Sequence, residues 1–557
     1  MKLRKKWAAL CLAAVLILTS VAGCGQKPSE SGTSGTEGSE TSISSETSVS
    51  SEAEAEDLDG GATNKEGLPI AKEPITITAG IKFDSMRPDK DTTNVWKYVE
   101  EKTNIKVEVE MYKDVEKANL MFASRDYPDL IMSTGAASTV LTTAAQSGDL
   151  VELEPLLEEY APTWNDFFKN NEVCYNMELL DGKLYSLPYV DFADFDRDLR
   201  DQWLFIEPWL EELNLEVPTT TEEFKEALLA VKENAGKGSI PENVVPFYFF
   251  FDNYVGGQFD IYASFGVPVT SADYLVVQDG VVKDQSTNPD IKEPLKYLRD
   301  LYALELIPPE VFTDDWTTYI SKTSSNPPII ASYGSYASRQ PDMTVPMGPL
   351  DAENGKESYI RSQAYVSGVT NAAMISSTNP YPIATLRMLE WIASDPEAMI
   401  TVNRGTKGVA WDYNEDGKAY ELFWEESTDL MTENSKDLGM HNGFIGLRDQ
   451  NFYENVWYDK NLEDETSRAW AYENVYKDKV MPNEWVYIEG PLSADDTAMA
   501  KQYSTDLANV RKTAFADFIT GKVDIDSGWD AYVQNMKNAG LDQFVELKQK
   551  AYDVVAK

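Results

Sequence analysis

Apolar residues alternate along residues 75–83. Ile75, Ile77, Ala79, Ile81 and Phe83 share one face, the period-2 pattern of a β-strand. The period then changes. In TTNVWKYVEEKTN, Val95, Tyr98 and Val99 fall at helical spacing, and IKVEVEMY returns to alternation at Ile105, Val107, Val109 and Met111. Val115–Ser124 reads as a second helix and residues 129–133 as a short buried strand. Strands separated by helices can pair in parallel through crossovers, so this β-α-β-α-β order predicts a parallel sheet with helices on its faces. Ligands of such sheets bind beyond the carboxyl ends of the strands. That makes Asp84, in the loop 83–85, and Ser133 and Thr134, in the loop 133–135, candidate ligand contacts.

One such sheet does not use up the chain. At 557 residues, with 42% apolar and 11% aromatic residues, the sequence supports two or more lobes. Its formal charge is −44, a field that repels nucleic acid, with no basic patch to offset it. The single histidine, His441, sits in LGMHNGF without a nucleophile motif, which argues against Ser-His-Asp and Cys-His catalysis and excludes a multi-histidine zinc site. The cysteines are Cys11, Cys24 and Cys174; Cys174 reads as an inert small apolar residue.

The first 23 residues combine a basic start (MKLRKK), an apolar run and small residues before Cys24. The apolar run is too short to span a bilayer comfortably. Val21-Ala22-Gly23-Cys24 resembles a bacterial lipobox, which implies cleavage before Cys24 and a lipid on its sulfur. Residues 24–66 then read as the lipidated cysteine and a disordered Ser/Glu/Gly tether, because they lack the apolar residues that offset ordering entropy. A flexible chain of about 40 residues spans on the order of 35 Å, enough to hold a soluble body off the membrane.

Further along, DGKLYSLPYV (181–190) precedes a second unit that begins with PWLEELNLEVPTTTEEFKEALLAVKEN, where Thr220 and Glu223 form a capping box. The apolar segment 365–377 leads to a helix with Ile383, Leu386, Leu389 and Ile392 on one face, and a second capping box is expected from Ser394 to Glu397. Trp209 and Trp391 lie in helical patterns and read as packing residues.

These stretches together resemble the bacterial extracellular solute-binding proteins of family 1, in the large lipoprotein branch of Gram-positive bacteria. The similarity runs through EEKTNIKVEVE, NLMFASRDYPDLIMS, DGKLYSLPY, WLEELNLEVPTTTEEF, LKYLRDLYALELIPPEVFT, RGTKGVAWDYNEDGKAY and the closing helices, over about residues 68–555. It implies a two-lobed, periplasmic-binding-protein-like type II α/β fold with a hinge between the lobes. Residues 67–190 plus about 365–405 would form lobe 1, and about 191–364 plus about 406–557 lobe 2. The implied role is capture of a carbohydrate, an oligosaccharide in particular, for an ABC importer, without enzymatic activity. The implied partners are the sugar, the permease subunits and, through the lipid, the outer face of the cell membrane; the chain is expected to act as a monomer. Two departures stand out. KENAGKGSIPENVVPF lacks the carboxylates of the calcium loop that relatives carry there, and Glu305 replaces a turn glycine, which should change the local geometry.

Sugar rings offer apolar C–H faces to aromatics and hydroxyl rims to carboxylates and amides. Candidates therefore combine an aromatic or acidic side chain with a strand end or a glycine-rich loop: Tyr189, Trp203, Asp252, Tyr254, Tyr333, Tyr336 and Trp411. Few basic residues adjoin these loops, which favours a neutral over an anionic sugar. No cofactor is expected. Asp412, Asn414 and Asp416 fit the start of a calcium loop, but the twelfth position is Phe423, where a bidentate glutamate is required. Asn414 to Gly417 fits a hairpin turn better. Two other readings stay open on sequence alone: a surface glycosidase using paired carboxylates, which needs no histidine, and a receptor for a non-sugar solute.

Overall fold

The computed structural model describes residues 58–556 apart from 83–92, 113, 134, 137, 194–198, 341–342, 363–369, 423–435, 441–444 and 466. Cys24 and its leader, Asp84, Thr134 and His441 lie outside the described residues.

The opening alternation forms β1 (Ile75–Lys82) and β2 (Ile105–Tyr112), parallel along their whole length from Ile75↔Ile105 to Lys82↔Tyr112. β3 (Leu130–Met132) lies parallel on the other side of β1. Ile77, Ala79 and Ile81 turn into the core, and the helices Asn94–Thr103 and Val115–Ser124 form the two crossovers. The chain next runs through β4 (Ser186–Asp191) and leaves this sheet. It builds a second sheet from β5 (Gln202–Ile206), β6 (Val245–Phe247), β7 (Ile330–Ser335) and β8 (Thr344–Met347), in the order β8-β5-β7-β6. It then returns through β9 (Thr370–Ile375) and β10 (Gly446–Arg448), which completes a first sheet of order β10-β4-β9-β3-β1-β2. The fold is a two-lobed α/β architecture with one large sheet in each lobe.

Strand directions place the functional edges. β9 is antiparallel to both β3 and β4, and β10 is parallel to β4, so β1 to β4 and β10 all end on one edge. In the second sheet Gln202 pairs with Ser335 and Trp203 with Met347, so the start of β5 lies beside the ends of β7 and β8. The segment 192–201 joins the carboxyl end of β4 to that edge. The chain also crosses between β8 and β9, where residues 348–362 are described, and again after β10, and hydrogen bonds lace the three crossings together. Tyr476 Oη accepts from the Trp203 N–H at 2.9 Å, Ile360 and Lys479–Met481 pair at 2.8 and 3.0 Å, and Arg468 donates to the Arg200 carbonyl at 3.1 Å.

Each lobe has its own core. Trp203, Phe205, Phe224 and Phe247 pack in the second, where Trp209 is fully buried; Ile77, Leu130, Trp164 and Leu386 pack in the first. Trp391 stacks on Tyr98 at 5.8 Å, also a packing role. The capping box at Thr220 is present, with Thr220 Oγ1 accepting from Glu223 N and the Glu223 carboxylate accepting from Thr220 N, both at 3.1 Å.

Four expectations need correction. Residues 58–66, expected in the tether, pack on the body: the Asp59 carboxylate accepts from the Ile383 and Ala384 N–H groups at 2.8 Å each, and so caps the helix Pro382–Ser394, whose first turn has no intrahelical acceptors. The next helix, Pro396–Arg404, is capped by Asp395 accepting from Ala398 N at 2.9 Å, not by Ser394. Residues 446–448 pair with β4 in the first sheet, although 406–557 were expected in the second lobe, because the extended edge of β4 accepts a parallel strand there. Glu305 adopts a left-handed turn with φ +54°, a conformation that favours glycine, and its exposed carboxylate pairs with Lys232 at 2.7 Å.

Candidate ligand cleft

At the edge of the first sheet, the end of β4 carries a buried polar cluster. The Asp191 carboxylate accepts from the Tyr189 hydroxyl at 3.1 Å, from the Tyr453 hydroxyl and from Ala193 N at 3.3 Å, and pairs with Arg448 at 2.5 Å. Burial pushes the Asp191 carboxyl up, against the pull of the Tyr453 hydroxyl and the Arg404 charge. The Arg448 guanidinium lies 5.1 Å from the centre of the Tyr189 ring. Arg468 sits in the same recess. Desolvation lowers its guanidinium to about 10, while Asp191 pulls the other way. Ser133 closes β3 with φ +42°, half-buried at the same edge.

At the edge of the second sheet, Asp201 accepts from Gly256 N and from Arg361 Nη2, both at 2.9 Å. Arg361 also clasps Asp260 through Nε and Nη2 at 2.8 and 3.1 Å and donates to the Tyr254 carbonyl. Those carboxylates hold its guanidinium above the usual range despite desolvation. The Tyr254 hydroxyl donates to the Ser362 carbonyl at 3.2 Å. Tyr254 thus ties a loop of the second lobe to a crossing segment. Gly256 has φ +66°, and a Cβ there would meet the Tyr319 ring at 2.9 Å, so the loop needs glycine to approach β7.

Two large aromatics remain open to solvent at this edge. Tyr336, just past β7, is 38% exposed, with the Arg200 and Arg339 guanidiniums 5.7 and 4.5 Å from its ring centre. Trp316 is 36% exposed and stacks on Tyr319 at 5.7 Å. Tyr319 in turn stacks on Tyr248 at 5.4 Å and donates its hydroxyl to the Gly334 carbonyl at 2.5 Å.

The aromatic candidates therefore divide. Tyr189, Tyr254 and Tyr336 are at the strand ends or crossing segments. Trp203, Tyr333 and Trp411, by contrast, are buried in this geometry. Trp203 is wedged against Phe224 and bonded through Nε1 to Ser332 Oγ at 3.1 Å. Tyr333 is fully buried, its oxygen accepting from Arg339 N at 3.0 Å. Trp411 is fully buried in a small cluster with Phe452 and Trp457, and Nε1 donates to the Gly405 carbonyl at 2.9 Å. Asp252 is likewise committed: both its oxygens engage Arg511, at 3.2 and 3.1 Å, and the Tyr274 hydroxyl donates to it at 2.6 Å. A one-in-two alternation cannot reveal which face of a strand is roofed by helices, and that is what buries Trp203 and Tyr333. Trp316, Arg200 and Arg339 come to this edge without a local sequence signal.

The stretch 411–421 is a hairpin, Trp411–Tyr413 paired with Ala419–Glu421. Asn414 Oδ1 accepts from Asp416 N at 3.0 Å and Lys418 N at 2.9 Å, which closes the turn. In KENAGKGSIPENVVPF, the Glu212 carboxylate closes the loop on Ser239 N and Oγ at 3.0 and 2.7 Å.

Residues 89–399 match the family of bacterial extracellular solute-binding proteins. A fructooligosaccharide ABC transporter substrate-binding protein, FusA of Streptococcus pneumoniae, is 24% identical over 491 residues, covering 82% of this chain and 86% of that one. Its structure in complex with kestose superposes with a TM-score of 0.71 at 22% identity, over 86% of this chain and 99% of that one. Lipoprotein LipO of Bacillus subtilis is 23% identical over 99% of both chains. An HMO-binding ABC-transporter-associated solute-binding protein of Bifidobacterium longum infantis superposes with a TM-score of 0.72 at 18% identity, over 87% of this chain and all of that one. The family and these neighbours are binding proteins and not enzymes, which sets aside the glycosidase reading. Two sheets that turn their strand ends toward three laced crossing segments, together with a family match over more than half of the sequence, establish that the chain belongs to the bacterial extracellular solute-binding proteins.

Proposed function

We propose that this protein is the lipid-anchored receptor of an ABC importer and that it captures an oligosaccharide between its lobes. The observation that carries the reading is the second-sheet edge, where Tyr336 and the Trp316–Tyr319 stack keep aromatic surface open at the ends of the strands. Aromatic faces of this kind stack on sugar rings, and the polar clusters at Asp191 and Asp201 supply hydrogen-bonding groups beside them. The fructooligosaccharide and HMO binders among its relatives support the same class of ligand. Cys24 is the lipid attachment point in this reading, LipO being a lipoprotein. The three crossing segments form the hinge; the sugar favours the closed form, and the closed form docks on the permease.

Calorimetry of the detergent-solubilised full chain against a panel of neutral and acidic oligosaccharides tests this. Saturable binding of at least one sugar, without turnover, is expected. Cleavage of the bound sugar that is abolished by a single Asp or Glu substitution would overturn the receptor reading. Cys24→Ser should move the protein from the membrane to the soluble fraction, and retention on the membrane would refute the anchor.

A further inference from the structure

The arginines of this acidic chain gather where the lobes meet. Arg200, Arg339, Arg361, Arg448 and Arg468 lie on the crossing segments or just past strand ends, whereas many lysines pair with carboxylates on the exposed surface. Most of these arginines are committed to carboxylates or carbonyls. How they are committed is informative. Arg361 engages Asp260 side-on through Nε and Nη2, and Arg511 engages Asp252 through the same pair of atoms. This edge of the guanidinium carries two parallel N–H donors that match the two oxygens of a carboxylate.

Arg339 presents the same edge. Its Nε and Nη2 are buried and have no hydrogen-bond partner among the described residues. Its guanidinium carbon lies 4.5 Å from the centre of the exposed Tyr336 ring, and that of Arg200 lies 5.7 Å from the same centre; Arg200 also pairs at 3.5 Å with Asp201, which Arg361 shares. Donors withheld from water without an acceptor are costly, and a carboxylate would satisfy both at once. Low local polarity strengthens such a pair.

We infer that Arg339, with Arg200 and the Tyr336 ring, is the recognition site for the carboxylate of an acidic sugar, so that the ligand is a uronic-acid-bearing oligosaccharide. The inference rests on the receptor reading above and reverses the sequence-based preference for a neutral sugar. The Tyr336 ring takes the apolar face of the sugar, the Arg339 edge takes its carboxylate in a bidentate pair, and Arg200 adds positive charge beside it.

The test is calorimetry of the detergent-solubilised full chain with oligomers of galacturonate, glucuronate and mannuronate–guluronate. Each is compared with its methyl ester and its carboxyl-reduced form, alongside neutral fructo- and malto-oligosaccharides. One acidic oligomer should bind about 10- to 100-fold more tightly than its own ester, the range for a charge-assisted bidentate pair. Arg339→Gln should bring the acid down to the affinity of the ester, with an unchanged melting temperature. Arg339→Lys keeps a cation over Tyr336 but loses the fork, and should recover only part of the difference. Equal affinity for acid and ester, or an unchanged preference in Arg339→Gln, overturns the proposal. If neutral sugars bind in that case, the receptor reading stands. If no member of the panel binds, both fall.

Discussion

Replacing Glu178 by glutamine should stabilise the protein above neutral pH and leave it nearly unchanged in acid. Glu178 ends the helix Glu172–Glu178 under the first sheet, 2% exposed, and the Ser186 hydroxyl of β4 donates to its carboxylate. Burial pushes this carboxyl up to about 7 from 4.5, and the Ser186 hydroxyl offsets only part of that. The folded state therefore holds the proton more tightly than the unfolded chain. Below the unfolded value both states are protonated and the contribution is fully present; as pH rises through 4.5 toward 7 it is lost, because the unfolded chain ionises first. A gap of that size corresponds to about 2–3 kcal/mol lost between pH 5 and pH 8. Glutamine keeps the shape and a hydrogen-bonding oxygen but does not ionise. Urea unfolding of wild type and Glu178→Gln, followed by circular dichroism at pH 5 and pH 8, reads the effect as a difference of differences, in which other titrating groups cancel. The variant should gain about 2–3 kcal/mol on wild type between the two pH values. An identical pH dependence of the two proteins would refute the assignment of a neutral, buried carboxyl.

Asp59→Ala should cost about 1–2 kcal/mol, read as a lowered urea midpoint, because the helix Pro382–Ser394 loses the carboxylate on its Ile383 and Ala384 N–H groups. Asp252→Ala should cost about 3–5 kcal/mol in the same assay, since it strands the Arg511 guanidinium in the core. Trp411→Ala should destabilise by about 3–5 kcal/mol through the cavity it leaves, with sugar affinity of the folded fraction unchanged in calorimetry. Tyr336→Ala should show the opposite pattern, weakening sugar binding while shifting the melting temperature little, since its ring is 38% exposed.

Much of the first lobe was legible in the sequence because its signals are local. The alternation of Ile75 to Ile81, the helical spacing of Val95 and Val99 and the second alternation from Ile105 each report a face buried by neighbours close in the chain. The Thr220–Glu223 cap is equally local, a bond across three residues. Where the partner is remote, sequence reading stopped. Residues 58–66 have the composition of a tether, yet Asp59 bonds to residues more than three hundred positions later. Asp252 has the look of a ligand contact in a glycine-rich loop, and Arg511 from a distant helix claims it.

For this protein the sequence alone determined the parallel β-α-β opening and a chain long and apolar enough for more than one lobe, since periodicity and composition depend on near neighbours and residue counts. Only the tertiary structure decided which aromatics keep an open face. It buried Trp203, Tyr333 and Trp411 beneath packing from elsewhere in the chain and left Tyr336 and Trp316 at the strand ends. It also gathered arginines separated by hundreds of residues, Arg200, Arg339 and Arg468 among them, around the crossing segments. The reason is physical: exposure and electrostatic company are properties of a point in space, and a sequence fixes such points only after the chain has closed on itself.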